Sequence, residues 1–202
     1  KPIRSDFAIW SARITYRSND INSSYSSVKN GTDRLVAFLK KSGFDDAEVV
    51  RGALSTKKLY AQTTGKEITR EDTFRTIAGY DVTQSVEVRS GKVDKVDEIS
   101  RTSTELLGQG IALESDPPQY LYTKISEVKR EILGSAAEDA FRRARQVAEK
   151  SGASVGKLRG VRMSPLQITS AFSSEISSEG QNDTSSIDKA ITAIVTATFE
   201  VK

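Results

Sequence analysis

An α+β fold, with three helices packed on mixed or antiparallel sheet, is the architecture this sequence predicts. Three observations carry it. Residues 7 to 17 alternate apolar and polar side chains, the period of a half-buried strand, and a helical spacing follows at once. A second, longer helical run carries alanines at every fourth position. The segment Lys41-Ser42-Gly43-Phe44, leading into Val50-Arg51-Gly52, recurs as Lys150-Ser151-Gly152-Ala153, leading into Leu158-Arg159-Gly160-Val161. Both copies read as a helix end, a glycine cap and a strand. A solenoid needs about three repeats, so these two belong to a duplicated strand-helix-strand element inside one fold.

In the first strand Ala8, Trp10, Ala12, Ile14 and Tyr16 oppose Ser11, Arg13, Thr15 and Arg17. The turn residues Ser18-Asn19-Asp20 lead to a helix with the inner stripe Ile21, Tyr25, Val28, Thr32, Leu35 and Leu39, stopping at Gly43. Residues 47 to 60 and 73 to 89 predict a strand hairpin, the second strand setting Phe74, Ala78, Tyr80, Val82, Val86 and Val88 against Arg75, Asp81, Thr83, Glu87 and Arg89. Its polar tip, Ala61 to Asp72, is expected to be a mobile loop. A second helix runs from Ser90 to about Leu107 on Val93, Val96, Ile99, Ser103, Leu106 and Leu107, ended by Gly108 and Gly110.

A short strand near 111 to 114 meets Asp116-Pro117-Pro118, where two missing backbone donors break a ladder, and residues 119 to 125 resume it. The third helix, about 126 to 151, has Val128, Ile132, Ala136, Ala140, Ala144 and Ala148 four apart, small enough to approach a sheet closely, with Leu133, Ala137, Phe141 and Val147 beside them. Residues 157 to 168 form another strand. Residues 187 to 201 form the last, with Ile191, Ala193, Val195, Ala197, Phe199 and Val201 inward. The intervening Ser170 to Ser186 is rich in Ser, Glu, Gln, Asn and Gly and predicts a second mobile loop.

At 202 residues, 37% of them apolar, the chain can bury a core as one domain or two small ones. Thirty basic against 27 acidic residues leave a net charge of +3, a mixed surface and not the lopsided one of a dedicated nucleic-acid binder. The chain has neither Cys nor His, which removes thiolate nucleophiles, imidazole bases and the usual zinc, copper and haem ligands. Carboxylate, Lys and Tyr chemistry remains open, and so does the redox compartment. No stretch approaches the roughly 20 apolar residues of a membrane span. The start at Lys1-Pro2 is compatible with a removed leader.

Arg142, Arg143 and Arg145 make the richest basic cluster, with Lys150, Lys157, Arg159 and Arg162 following. Such a cluster can grip phosphate or an acidic partner. Glu138, four residues before Arg142, makes a solvated ion-paired face the simpler reading, and no interleaved aromatics offer a base-stacking platform. Asp45-Asp46, Asp94 with Glu98, and Glu138-Asp139 are neighbours in sequence, not carboxyls converging across a cleft. Gly108-Gln109-Gly110 reads as a helix terminator and not as a dinucleotide loop. Asn22-Ser23-Ser24 and Asn182-Asp183-Thr184 match the glycosylation triplet by chance composition and receive no role. Trp10 belongs to the core face, whereas Tyr120 and Tyr122, beside Pro117-Pro118, suit either core or an interface.

Gly79-Tyr80-Asp81-Val82-Thr83, running through Val86-Glu87-Val88 to Val93-Asp94-Lys95-Val96, resembles the central strand and helix entry of the SIMPL-domain family of exported bacterial proteins. Ala136-Ala137-Glu138-Asp139-Ala140 with Ala144, Ala148, Gly152 and Val155-Gly156-Lys157-Leu158 is similar to its alanine-spaced helix and glycine turn. These patterns are diffuse and span nearly the whole chain, but the family's first strand has no evident counterpart in Lys1 to Asp6. The resemblance implies a single SIMPL-like domain over residues 1–202. It also implies an envelope protein, periplasmic or tethered through a removed amino-terminal segment, that self-assembles in some relatives and is linked to oxidative stress and surface antigens. It brings no enzymatic activity and no cofactor.

Two functions from different classes follow as expectations. One is a non-enzymatic homo-oligomeric scaffold whose interface draws on Tyr120, Tyr122, Arg142, Arg143 and Arg145, with itself or an envelope protein as partner and no nucleic acid. The other is a periplasmic module that binds a small molecule, peptide or partner. An enzyme using Lys or carboxylate chemistry is the third and weakest reading.

Overall fold

A computed structural model of the chain describes residues 1–61, 76–173 and 175–202. The expected hairpin tip beyond Ala61, together with Phe74 and Arg75, lies outside the described residues. In chain order the strands and helices are β1 (Pro2–Arg4), β2 (Phe7–Ser18), α1 (Ile21–Lys41), β3 (Val49–Tyr60), β4 (Ile77–Ser90) and α2 (Val93–Thr102). They continue with β5 (Leu113–Ser115), β6 (Gln119–Leu121), α3 (Ile125–Lys150), β7 (Val155–Met163), β8 (Gln167–Ser170), β9 (Gln181–Asn182), β10 (Asp188–Thr192) and β11 (Val195–Val201). The fold is α+β, with three helices and both mixed and antiparallel sheets. Contacts divide it into two compact units, Ala8–Gln119 and Lys1–Phe7 with Tyr120–Lys202.

The Ala8–Gln119 unit is an antiparallel sheet in the order β3-β4-β2-β5, with α1 packed on β4. The alternation read from the sequence becomes its inner face: Ala8, Trp10, Ala12 and Ile14 of β2 and Val82, Val86 and Val88 of β4 are fully buried. Val28, Leu35 and Leu39 of α1 and Val96 of α2, helices that both pack on β4, are fully buried as well. Trp10 keeps its indole N–H satisfied by donating to Ser115 Oγ at 3.0 Å. The helix stripe begins at Ser24, whose hydroxyl donates to the Tyr80 carbonyl, and Tyr25, a hundred degrees round the helix, stays in solvent. Gly79 is required by close approach, because a Cβ there would lie 2.8 Å from the Ser18 carbonyl oxygen.

The second helix departs from expectation at its end. After Thr102 it tightens into a 3-10 helix over Ser103–Gln109, which Gly110 closes at φ +78°. With three residues per turn Leu106 falls back over Ser103 and is buried, and Leu107, expected inside, turns outward.

In the second unit β1, β10, β8 and β9 form a mixed sheet in that order, β8 and β9 being parallel. Pro2–Arg4, ahead of the first strand read from the sequence, pairs antiparallel with β10. The two long strands expected at 157 to 168 and 187 to 201 each break in two. Pro165, which has no donor for a ladder, separates β7 from β8, and Ala193-Ile194 separates β10 from β11. The Ser164 amide bonds the Ile194 carbonyl at 3.0 Å and carries the pairing across the break. Val128, Ile168 and Ile191 form the buried cluster here, with Ile3, Tyr122, Ile125, Ile132 and Leu166 against it. Val201, expected inside, is exposed.

The repeated glycine caps are the same motif atom for atom. Gly43 has φ +88° and Gly152 φ +76°. The amide of Gly43 bonds Lys40 O and that of Phe44 bonds Leu39 O; the amide of Gly152 bonds Glu149 O and that of Ala153 bonds Ala148 O. Each is a Schellman closure that satisfies the last helix carbonyls and redirects the chain into a strand.

Candidate functional site

The expected interface residues lie in different settings. Tyr120 is 6% exposed in β6, where its amide bonds the Thr184 carbonyl at 2.7 Å. Tyr122 is half-buried against the Val128–Ile168–Ile191 cluster. The three arginines stand on the exposed face of α3 and are ion-paired. Arg142 and Arg143 share Asp139, at 2.5 and 2.6 Å, and Arg145 holds Glu149 at 2.7 Å. Asp139, three residues before Arg142, takes the contact assigned from sequence to Glu138. The hydrogen bond from Arg142 holds the Asp139 carboxyl below its ordinary range against a lesser upward effect of burial, helped by the Arg143 charge. Exposed pairs of this kind contribute little to stability, because water and salt screen them.

The larger surface feature is one that no spacing in the sequence shows. The β7–β11 pair has Met163 opposite Val195, Val161 opposite Ala197 and Leu158 opposite Phe199. Side chains opposite one another in an antiparallel ladder share a face, so all six are on one side. A register shift at Thr198/Phe199 makes this work: it takes Arg159 out of the count and sets Leu158 across from Phe199. The other side carries Arg162 with Thr196 and an ion pair between Arg159 and Glu200.

Helix α3 reaches the apolar side through Phe141, whose ring meets Phe199, and packs mainly over β11. The β7 residues therefore stay open: Leu158, Val161 and Met163 are 54%, 48% and 61% exposed. Among the described residues neither outer edge of this two-stranded ribbon pairs with another strand. An isolated ribbon with an uncovered apolar face is marginal by itself.

A second feature is a cavity of about 380 Å³ at the end of β8, walled by Ser173, Glu175, Gln181, Asn182, Asp183 and Ser185 among others. Two polar side chains of adjacent strands are fully buried, Gln167 sharing a face with Thr192 and Lys189 the opposite face with Ile191, and Lys189 holds the cavity wall. Gln167 donates through Nε2 to the carbonyls of Pro165 and Ser177, at 3.0 and 2.8 Å, and accepts from the Ser177 amide. Lys189 donates to the carbonyl oxygen and to Oδ2 of Asp183, at 2.5 and 3.2 Å. Burial pushes the Asp183 carboxyl up, but bonds from Ser185, Ser186 and Lys189 more than reverse this and keep it well below the carboxylate range. The predicted loop Ser170 to Ser186 thus contains β9 and a hydrogen-bonded wall. Lys189 shares the parity of Ile191 along the last strand, and that was a readable signal for an inward-pointing cation.

In the Ala8–Gln119 unit the densest polar cluster ties elements together. Glu48 accepts from Lys92 Nζ at 2.7 Å, Ser90 Oγ at 2.6 Å and the Asp45 amide at 2.9 Å, joining the start of β3 to the end of β4 and the entry to α2. Lys92 also donates to the Gly43 carbonyl and stands 5.8 Å from the centroid of the Phe44 ring. Among the described residues no three acidic side chains are grouped to hold a metal ion, and no helix is long and apolar enough to cross a membrane.

No curated protein matches the chain. Residues 1–199 match the family described as SIMPL, protein of unknown function (DUF541). With a match that runs almost end to end, over the glycine-capped helices and the ribbon alike, the chain belongs to the SIMPL family.

Proposed function

We propose that this protein is a non-enzymatic envelope protein, exported to the periplasm or tethered facing it, that assembles with itself into a homo-oligomeric scaffold serving stress defence. The observation that carries the assembly is the half-open apolar face of β7–β11, where Leu158, Val161 and Met163 stand exposed and Phe141 of α3 meets Phe199. Covering such side chains releases on the order of 25 cal/mol per Å² of apolar surface, and a second copy brings the same patch to a two-fold contact. Unpaired ribbon edges add backbone donors and acceptors that a neighbouring copy can meet. The envelope location and the link to stress rest on the family resemblance.

The test is light scattering and sedimentation of the wild-type chain and a Val161→Lys/Met163→Lys double variant over a wide concentration range. Wild type is expected to associate with rising concentration, and the variant to remain a monomer with unchanged far-ultraviolet circular dichroism. A wild-type monomer at every concentration removes the proposal. Fractionation of cells that express the full-length gene product tests the location, with a cytoplasmic product overturning it.

A further inference from the structure

We infer that the cavity at the end of β8 binds a small hydrophilic organic cation, an ammonium-bearing polyol of the amino-sugar kind. Its volume of about 380 Å³ falls in the range of small-molecule sites and suits a ligand of one sugar ring's size. Its walls are built before any ligand arrives. Lys189, 1% exposed on β10, spends its ammonium on the Asp183 wall, donating to the carbonyl oxygen and to Oδ2. Lys189 occupies an inner-face position where an aliphatic residue would pack without the desolvation cost of an ion. Locked supporting side chains of this sort are what a binding site needs and a solvent loop does not.

Charge and chemistry select the ligand. Among the described residues two carboxylates line the cavity, Glu175 and Asp183, and no Lys or Arg does. Lys189 already compensates Asp183 from behind, whereas among the described residues Glu175 meets only the Gln181 side-chain amide, at 3.5 Å. One negative charge therefore faces the cavity uncompensated and favours a cation. Ser173, Ser185, Asn182 and Gln181 supply paired donors and acceptors of the type that hydroxyl groups match. No aromatic side chain among the described residues lines it, so they form no cage of the kind that holds a quaternary ammonium. This inference uses none of the surface invoked for self-assembly.

The experiment titrates the ¹⁵N-labelled chain with glucosamine, and in parallel with glucose and glucuronate as neutral and anionic counterparts. Glucosamine is expected to give saturable amide shifts confined to residues 168–186. Glu175→Gln should weaken it by about three- to five-fold, the size of one exposed charge contact, without changing the melting temperature. Ser173→Lys, which places an ammonium in the cavity, should abolish it. Shifts that do not saturate, shifts equally strong with glucuronate, or unchanged affinity in both variants would overturn the inference.

Discussion

Phe141 on α3 meets Phe199 on β11 edge-on, with ring centroids 5.6 Å apart and planes at 65°. This contact joins the helix to an otherwise thinly covered ribbon, so it contributes both to stability and to the shape of the apolar face. We expect Phe141→Ala and Phe199→Ala each to destabilise the chain. A double-mutant cycle in urea should give a coupling of about 1 kcal/mol, the usual worth of an aromatic pair beyond its buried area. Strict additivity would mean the rings do not support one another.

The same substitution should have opposite signs at two glycines of one helix-turn segment. Gly134 lies exposed within α3 with nothing within 4 Å of a built Cβ, so Gly134→Ala should raise stability by up to about 1 kcal/mol through helix propensity. Gly152 also has open space, but at φ +76° an alanine there should cost about 1 kcal/mol from the backbone alone. Thermal unfolding of the two variants checks this directly.

Glu48 confers a predictable acid sensitivity. Burial raises its carboxyl, but Lys92, Ser90 and the Asp45 amide together pull it from the ordinary 4.5 down to about 2. A depressed carboxyl contributes stability that is whole above pH 4.5 and fades as pH falls towards 2, here on the order of 2 kcal/mol. Glu48→Gln should lower stability at neutral pH by about that amount and flatten the loss between pH 4.5 and 2. An unchanged slope in the variant would show that other carboxyls carry it.

Lys189 and Asp183 should behave as a buried pair. Lys189→Met leaves a carboxylate that is only 17% exposed without its cation, at a cost of about 3 kcal/mol. Adding Asp183→Asn should recover part of that loss, because a neutral amide is cheaper to leave in place than an unpaired charge. Urea unfolding at neutral pH, with no recovery in the double variant, would contradict the pairing.

Local periodicity made much of the fold legible. The β2 alternation, the α1 stripe from Val28 onward, the α3 stripe and both glycine caps stand where spacing put them, because each depends on residues within a few positions of one another, whereas Ile21 and Tyr25 at the start of α1 stay in solvent. The apolar ribbon face was not legible, since Leu158, Val161 and Met163 share a side only through the register shift opposite Thr198 and Phe199. Leu107 left the core because the helix tightened at Ser103, a change that alters which residue faces inward. Tyr120 and Tyr122 could be read either way from sequence, and packing placed both inward.

The sequence by itself determined the α+β class, the helix ends and the want of thiol and imidazole chemistry, for these follow from composition and short-range geometry. Tertiary structure alone decided where the long strands break, which apolar residues of β7 remain uncovered, and that Lys189 meets Asp183 in the wall of a polar cavity. Those outcomes depend on pairing between segments distant along the chain, whose register no local pattern encodes.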